Sequence, residues 1–354
     1  MNGTTTRFET DFGALVKTNA NNIAVIDSRT EEQFTYAELD NRICQMERFL
    51  CSCGFTKNKR LFSLLPNSLE TLLVFLAVAK MGGTLIPQSI LSAAPEIRSV
   101  LAATNPDFAL LTESVSEEIQ NEFDRQNISV VNLPSPHEFT SSSPKSTKQQ
   151  KNLPNESAML FLQTSGSTGE PKTMVLEVDR LWEAALAWVD FHKELNHDCR
   201  FLNYLPHAYL GGLFNLCLIP IAARGSFVIT ETFSGTSLLS FWNDVERFDI
   251  NAIWLVPSIL RGLLTLNNRT NGKREPAYKR IKFAFVGTAL IDRRTKEEAE
   301  EAFNFNLLEN FALSETTFLT SETSEEKFLE DRGVGSVLPY VDLRLKPING
   351  KNEN

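Results

Sequence analysis

From Phe34 onward, short apolar runs alternate with stretches of helical periodicity, and that rhythm constrains the fold more than any other feature of the chain. A helix is expected from near Thr35, a strand over 60–65 and an apolar helix over 68–81. Gly82 and Gly83 should end that helix, because glycine accepts the left-handed conformation after a last turn. A strand at 84–87, a helix at 94–103 and a strand at 108–112 follow. After a polar stretch come strands at 158–163, 173–176, 225–229, 252–256 and 281–286, with helices at 178–195, 237–248 and 292–302. Strands separated by helices pair in parallel, so the expected class is α/β: layered parallel-sheet subdomains flanked by helices, with a small β-rich portion near the C-terminus.

At 354 residues the chain exceeds the size at which a single core stops growing. One large domain over 1–354 is expected, with a first α/β portion at 1–133 and a second at 158–330. Between them, 134–157 turns to Pro, Ser, Lys, Gln and Asn and reads as a linker. The segment 331–354 reads as the start of a β-barrel-like piece. A formal net charge of -9 repels a phosphate backbone and argues against nucleic acid as the main partner, although a local basic spot can still hold a nucleotide. Five cysteines without CxxC spacing favour reduced thiols. The start of the chain lacks the basic and apolar stretches of a signal peptide, and the most apolar run, 213–223, is too short to span a bilayer. A cytoplasmic protein is expected.

The strongest motif is Thr164-Ser165-Gly166-Ser167-Thr168-Gly169-Glu170-Pro171-Lys172, directly after an apolar strand. Its glycines let backbone N–H groups turn toward an anion, its hydroxyls add donors, and Lys172 supplies a compact positive charge, so the stretch reads as a phosphate cradle. It is not the nucleotide loop that requires glycine before the lysine, since Pro171 stands there. The plainer reading is an ordinary Ser/Gly/Thr turn followed by a solvated lysine. No HExxH, no Cys/His cluster, no GxSxG and no GxGxxG supports a rival chemistry.

The stretch strongly resembles the phosphate-binding signature of the adenylate-forming superfamily, which includes acyl- and aryl-CoA synthetases, luciferases and nonribosomal-peptide adenylation domains. Later segments resemble that family too, in the right order. Val286-Gly287-Thr288-Ala289 matches its Gly-Gly-Ala loop, and Asn310-Phe311-Ala312-Leu313-Ser314-Glu315-Thr316 matches its Tyr-Gly-x-Thr-Glu segment. The resemblance covers nearly the whole chain and includes Thr35-Tyr36-Ala37-Glu38-Leu39. It implies ATP-dependent activation of a carboxylic acid, with Lys172, Thr164 and Glu315 in catalytic roles. Mg²⁺ would bind Glu315, a hard carboxylate for a hard cation. Ser314 would face phosphate and Phe311 would stack on adenine, while the plain reading of Glu315 alone is a surface carboxylate. The small-molecule acid would then pass to a thiol, with coenzyme A expected and an acyl carrier protein's phosphopantetheine as the alternative.

Leu205-Pro206-His207-Ala208-Tyr209-Leu210-Gly211-Gly212-Leu213 is similar to the family's Pro-x-x-His-x-x-Gly region, which forms one wall of the acyl pocket. Tyr209 occupies the usual histidine place and His207 stands two residues earlier. Either can equally be a half-buried aromatic or a satisfied core histidine. The pocket implied comprises His207, Tyr209, Gly211, Gly287 and Leu313. No Asp lies within 205–213 to pair with a substrate amine, which favours a fatty, aromatic or other amine-free acid. The chain departs from the family at Thr173, Thr288 and Ala312, where glycine is usual, and at Phe311, where tyrosine is usual. Family members also continue into a mobile C-terminal lid that does not follow Asn354, so a truncated ligase, weakly active or inactive alone, is expected. The alternative is a lid-less protein that holds nucleotide or acyl-adenylate without turnover.

Overall fold

The computed structural model describes residues 6–112, 115–134, 157–164, 172–270, 275–324 and 333–346. The expected linker lies outside the described residues except at Pro134 and Ser157. The chain opens with α1 (Arg7–Thr18), whose N-cap Thr6 accepts a hydrogen bond from the Glu9 N–H, followed by β1 (Ile23–Asp27) and β2 (Gln33–Thr35). Helix α2 (Tyr36–Ser52) starts on a capping box. The Thr35 hydroxyl accepts from the Glu38 N–H at 3.3 Å, and the Glu38 carboxylate accepts from the Thr35 N–H at 2.8 Å.

Next come β3 (Arg60–Leu64), α3 (Leu69–Met81), β4 (Thr84–Gln88), α4 (Ala94–Thr104), β5 (Phe108–Leu111), α5 (Glu117–Arg125) and β6 (Ser129–Asn132). Helix α3 is buried from Leu69 to Ala79 apart from Glu70, and Gly82 caps it in the left-handed region at φ 70°. A helix apolar on every face must be enclosed on every face. Each fully buried Leu, Val or Phe contributes about 1.5–3 kcal/mol.

The second half runs β7 (Met159–Thr164), β8 (Lys172–Glu177), α6 (Val178–Phe191), β9 (Arg200–Asn203), a π-helix (Gly211–Leu218), α7 (Ile219–Ala222) and β10 (Ser226–Ile229). It continues with α8 (Ser237–Arg247), β11 (Ala252–Leu255), α9 (Pro257–Thr270), α10 (Glu275–Tyr278), β12 (Phe283–Val286), α11 (Arg293–Phe303), β13 (Leu307–Leu313), β14 (Thr317–Ser321) and β15 (Ser336–Val337). The helix expected over 178–195 stops at Phe191, because His192 leaves helical dihedrals to lay its ring 4.4 Å from that of Trp188 and bond Ser321 at 3.0 Å.

Two sheets organise these elements. One has nine strands in the order β15-β14-β13-β12-β11-β9-β10-β1-β2, the other six in the order β6-β5-β3-β4-β7-β8. Wherever a helix joins paired strands they run parallel, as expected, while β1–β2, β7–β8, β13–β14 and β14–β15 are antiparallel. Their connections hold no crossover helix among the described residues, and short links bring strands back antiparallel. Sheet membership crosses the order of the chain: β1 and β2 join the larger sheet beside β10, while β7 and β8 extend the smaller beside β4.

Helices α4 and α5 cover the outer face of the smaller sheet, enclosing a core of Phe62, Ile97, Leu101, Phe123 and their neighbours. Helices α2, α3, α6, α7 and the π-helix lie between the sheets, and α8 to α11 cover the far face of the larger one.

Gly225 immediately precedes β10 where two backbone segments approach closely. A Cβ there would sit 2.5 Å from the Cys199 carbonyl oxygen, and the Gly225 carbonyl accepts from the buried Tyr36 hydroxyl at 2.7 Å. Gly225→Ala should therefore destabilise the protein by about 2 kcal/mol, since overpacking a rigid interior forces backbone shifts. In urea denaturation the midpoint should fall with the slope unchanged; an unmoved midpoint would show that the site has slack.

Candidate functional site

In the larger sheet β9 continues to β10 on one side, while β11, β12 and β13 build outward on the other. Strand order thus reverses between β9 and β11, and in open α/β sheets the crevice at such a reversal, outside the carboxyl ends of the strands, is where ligands bind. The segments leaving those ends are 204–212 after β9, Val256 after β11, Gly287, Thr288 and Ala289 after β12, and Phe311 to Glu315 at the end of β13. Segments far apart in sequence, singled out for chemistry, therefore share one edge.

A buried asparagine joins the smaller sheet to that edge. Asn67, just beyond β3, donates from Nδ2 to the Leu205 carbonyl at 2.9 Å and accepts at Oδ1 from the His207 N–H at 2.8 Å. An amide that spends a donor and an acceptor on one neighbouring backbone fixes both its position and its plane. The carboxyl ends of β3 and β9 are thereby held together. Because β7 runs parallel to β4 and β4 to β3, Thr164 leaves the smaller sheet at this same edge. Sequence reasoning missed Asn67; its one local signal is its place after Pro66 at a strand end.

Ser165, Gly166, Ser167, Thr168 and Gly169 lie outside the described residues. The strands that flank them do not: Thr164 pairs with Lys172 in the antiparallel β7–β8 register, next to the segment that links the two strands, and Lys172 is exposed.

Irregular backbone builds the wall after β9. Gly212 has no room for a side chain: its Cβ would lie 2.6 Å from the Pro206 carbonyl oxygen and 2.7 Å from that of Leu205. Gly211 meets the Leu205 side chain at 2.9 Å in the same way. The π-helix, whose i→i+5 bonds make a wider turn, begins here. Asn203 ties two of its carbonyls to β9, donating from Nδ2 to that of Gly212 at 3.1 Å and that of Leu216 at 3.0 Å. His207 is only 2% exposed, and both its ring nitrogens are buried without a hydrogen-bond partner among the described residues, so it is not the satisfied core histidine of the plainer reading. Tyr209 is 46% exposed, at the surface rather than half-buried.

The wall after β12 and β13 carries backbone strain. Gly287 passes so close to Asn310 that a Cβ would overlap its side chain, whose Nδ2 donates to the Val286 carbonyl at 2.9 Å. Thr288 stands at φ 74° and Thr317 at φ 59°, a region β-branched residues enter only when their surroundings compel it. Ala312 is half-buried; Phe311 and Leu313 are 40% and 46% exposed. Ser314 and Glu315 occupy the exposed turn closed by the Thr316 N–H to Leu313 carbonyl bond of 3.2 Å. The Glu315 carboxylate is exposed and could offer one hard oxygen ligand to a cation, but among the described residues no group of three or more His, Cys, Asp or Glu that could hold a metal surrounds it.

Behind this edge, buried rings fill the space between the π-helix and the sheet: Phe214, Trp254, Phe285 and Phe318, backed by Trp188 of α6. Periodicity could not show them as a group, because each comes from a different element. A roomy hollow lined by Lys59, Asp107, Gln126 and Ser129 lies at the opposite, amino-terminal ends of β3, β5 and β6 and contains none of the expected site residues.

A family model described as AMP-binding enzyme matches residues 13–353. The chain is 26% identical over 334 residues to an oxalate–CoA ligase of Arabidopsis thaliana, covering 90% of this chain and 63% of that protein. It is 25% identical over 235 residues to nonribosomal peptide synthetase 8 of Aspergillus fumigatus, covering 66% of this chain and 3% of that one. The crystal structure of apo MatB from Rhodopseudomonas palustris superposes with a TM-score of 0.79 at 20% identity, over 96% of this chain and 65% of that one, a likeness of fold. The chain thus spans less than two thirds of the length of each of these proteins. Among the described residues no helix is long and apolar enough to cross a membrane.

Burial also sets how the site's histidines titrate. The His192 ring is pushed down to about 4 and that of His207 to about 3, because burial denies the charged ring its hydration. An unfolded histidine titrates near about 6.5. Below that pH the unfolded chain takes up protons that the native chain refuses, so stability falls as pH drops from about 6.5 through the folded values of His192 and then His207. Each ring should cost about 2 kcal/mol of stability between pH 7 and pH 5. Urea denaturation at both pH values checks this: the midpoint should fall at pH 5, and His192→Phe should flatten the dependence. An equally steep dependence in the variant would rule the buried neutral ring out as its source.

Proposed function

The chain belongs to the AMP-binding enzyme family, and we propose that it activates a carboxylic acid with ATP, yielding an acyl-adenylate and pyrophosphate before the acyl group passes to a thiol. The observation that carries the reading is convergence. The hairpin loop ending at Lys172 and the turn bearing Glu315 leave the carboxyl ends of two sheets that Asn67 ties edge to edge. Anion-binding groups on one sheet and a cation-binding carboxylate on the other frame a cleft suited to a triphosphate with its metal.

In this reading Lys172, Thr164 and the loop hydroxyls of Ser165, Ser167 and Thr168 hold the phosphates, with Gly166 and Gly169 letting the backbone turn toward them. Phe311 offers its exposed face to adenine, with Gly287, Thr288, Ala289, Asn310, Ala312, Leu313 and Ser314 lining the nucleotide. Glu315 would hold Mg²⁺, which when bound neutralises phosphate charge. The acid's own carboxylate oxygen attacks the α-phosphorus in line and pyrophosphate departs; the chain supplies orientation and charge stabilisation, and no protein nucleophile is required. His207, Tyr209 and Gly211 border the acid, and the lack of an Asp within 205–213 favours one without an amine.

Coenzyme A is the proposed acceptor, in keeping with the relative named as an oxalate–CoA ligase; a carrier-protein phosphopantetheine is the alternative that the nonribosomal synthetase suggests. All five cysteines are free thiols, in keeping with a cytoplasmic setting.

Pyrophosphate release from ATP across a panel of carboxylic acids tests the reading. Release should depend on the acid added and fall roughly 100-fold in Lys172→Ala and in Glu315→Gln, the usual scale for removing one preorganised charge. Release that ignores both substitutions, or none with any acid, would contradict it.

A further inference from the structure

We propose that the acid accepted here is short, with no acyl tail to bury; the inference rests on the adenylation reading above. The crevice between β9 and β11 is bounded on one side by the π-helix and on the other by β11, β12 and, beyond β13, β14, and buried rings fill the depth behind it. Phe214 stacks on Phe318 with centroids 5.6 Å apart, Phe318 on Trp254 at 5.0 Å, and Trp254 on Phe285 at 4.8 Å. Trp188 closes the group from α6, 4.0 Å from Phe318 and 5.2 Å from Trp254. None of these rings is more than 3% exposed. Interiors packed in this way leave no void for a chain of methylenes, and sites for larger ligands need several hundred Å³ of open space, roughly 300 or more. The hollow beside Lys59 and the one beneath α8 include none of these rings in their linings.

Because the rings touch one another, admitting a tail means displacing several at once. The wall is also a poor host for a tail in its chemistry. The indole N–H groups of Trp188 and Trp254 are buried without a hydrogen-bond partner among the described residues, as are the ring nitrogens of His207 nearer the crevice. Hydrocarbon would leave all of these unmet. At the mouth, where the carboxylate would sit, Tyr209, Phe311 and Leu313 are exposed.

The test is acid-dependent pyrophosphate release with acetate, malonate, hexanoate, octanoate and phenylacetate at equal concentration, in wild type, Trp254→Ala, Phe318→Ala and the milder Phe214→Leu. The preference is read as a ratio within each folded variant, so a change in stability does not enter it. Wild type should favour the short acids over octanoate by at least about tenfold, the scale on which pockets discriminate methylenes. At least one of the substitutions should raise the octanoate-to-acetate ratio by a similar factor. Octanoate turned over as well as acetate by wild type would overturn the short-acid inference and leave adenylation standing. So would a ratio unmoved in every variant. Silence with every acid would overturn both.

Discussion

The arrangement depends on two hydrogen bonds from one buried side chain. Asn67 follows a strand of the smaller sheet and grips the backbone at Leu205 and His207, which follows a strand of the larger. Each bond is worth about 1 kcal/mol net, but either partner left buried and unpaired would cost about 1–3 kcal/mol, so the two edges are held in one relation rather than merely near each other. Every segment with a proposed role leaves one of those edges. Without a fixed relation between the sheets, a loop on one and a carboxylate on the other could not serve the same ligand.

Regular secondary structure makes the scaffold, and departures from it make the site. Gly212 lets the π-helix press onto the carbonyls of 205 and 206, while Asn203 donates to the carbonyls of Gly212 and Leu216. Gly287 and Asn310 interlock with no space for a methyl group, and the threonines at 288 and 317 hold left-handed backbone that glycine would occupy without strain. Such positions persist only where surrounding packing over-determines them. Here the aromatic stack and the buried Lys296, paired with Glu322 and 3.9 Å from Glu309 under the same strands, supply that rigidity.

What the sequence discloses follows the range of the interaction that decides it. Helix α3, its Gly82 cap and the helix start near Thr35 depend on near neighbours and could be read directly. The order of the motifs was legible too, because each follows an apolar strand. The return of β7 and β8 to the smaller sheet, the placement of β1 and β2 beside β10, and the antiparallel turn at β14 depend on partners far along the chain. Asn67 carried no more signal than any polar residue at a strand end. The aromatic wall is assembled from α6, the π-helix, β11, β12 and β14, so no window of sequence contains it. His207 was visible as a residue, whereas its lack of partners was not.

The central claim is that the two joined edges enclose one nucleotide site, and a crystal structure of the protein with ATP and magnesium tests it most directly. The account predicts continuous density for the triphosphate running from the loop before Lys172 toward the carboxylate of Glu315, with the adenine against Phe311. Nucleotide bound elsewhere, as in the hollow beside Lys59 and Asp107, or touching only one of the two sheets, would contradict it.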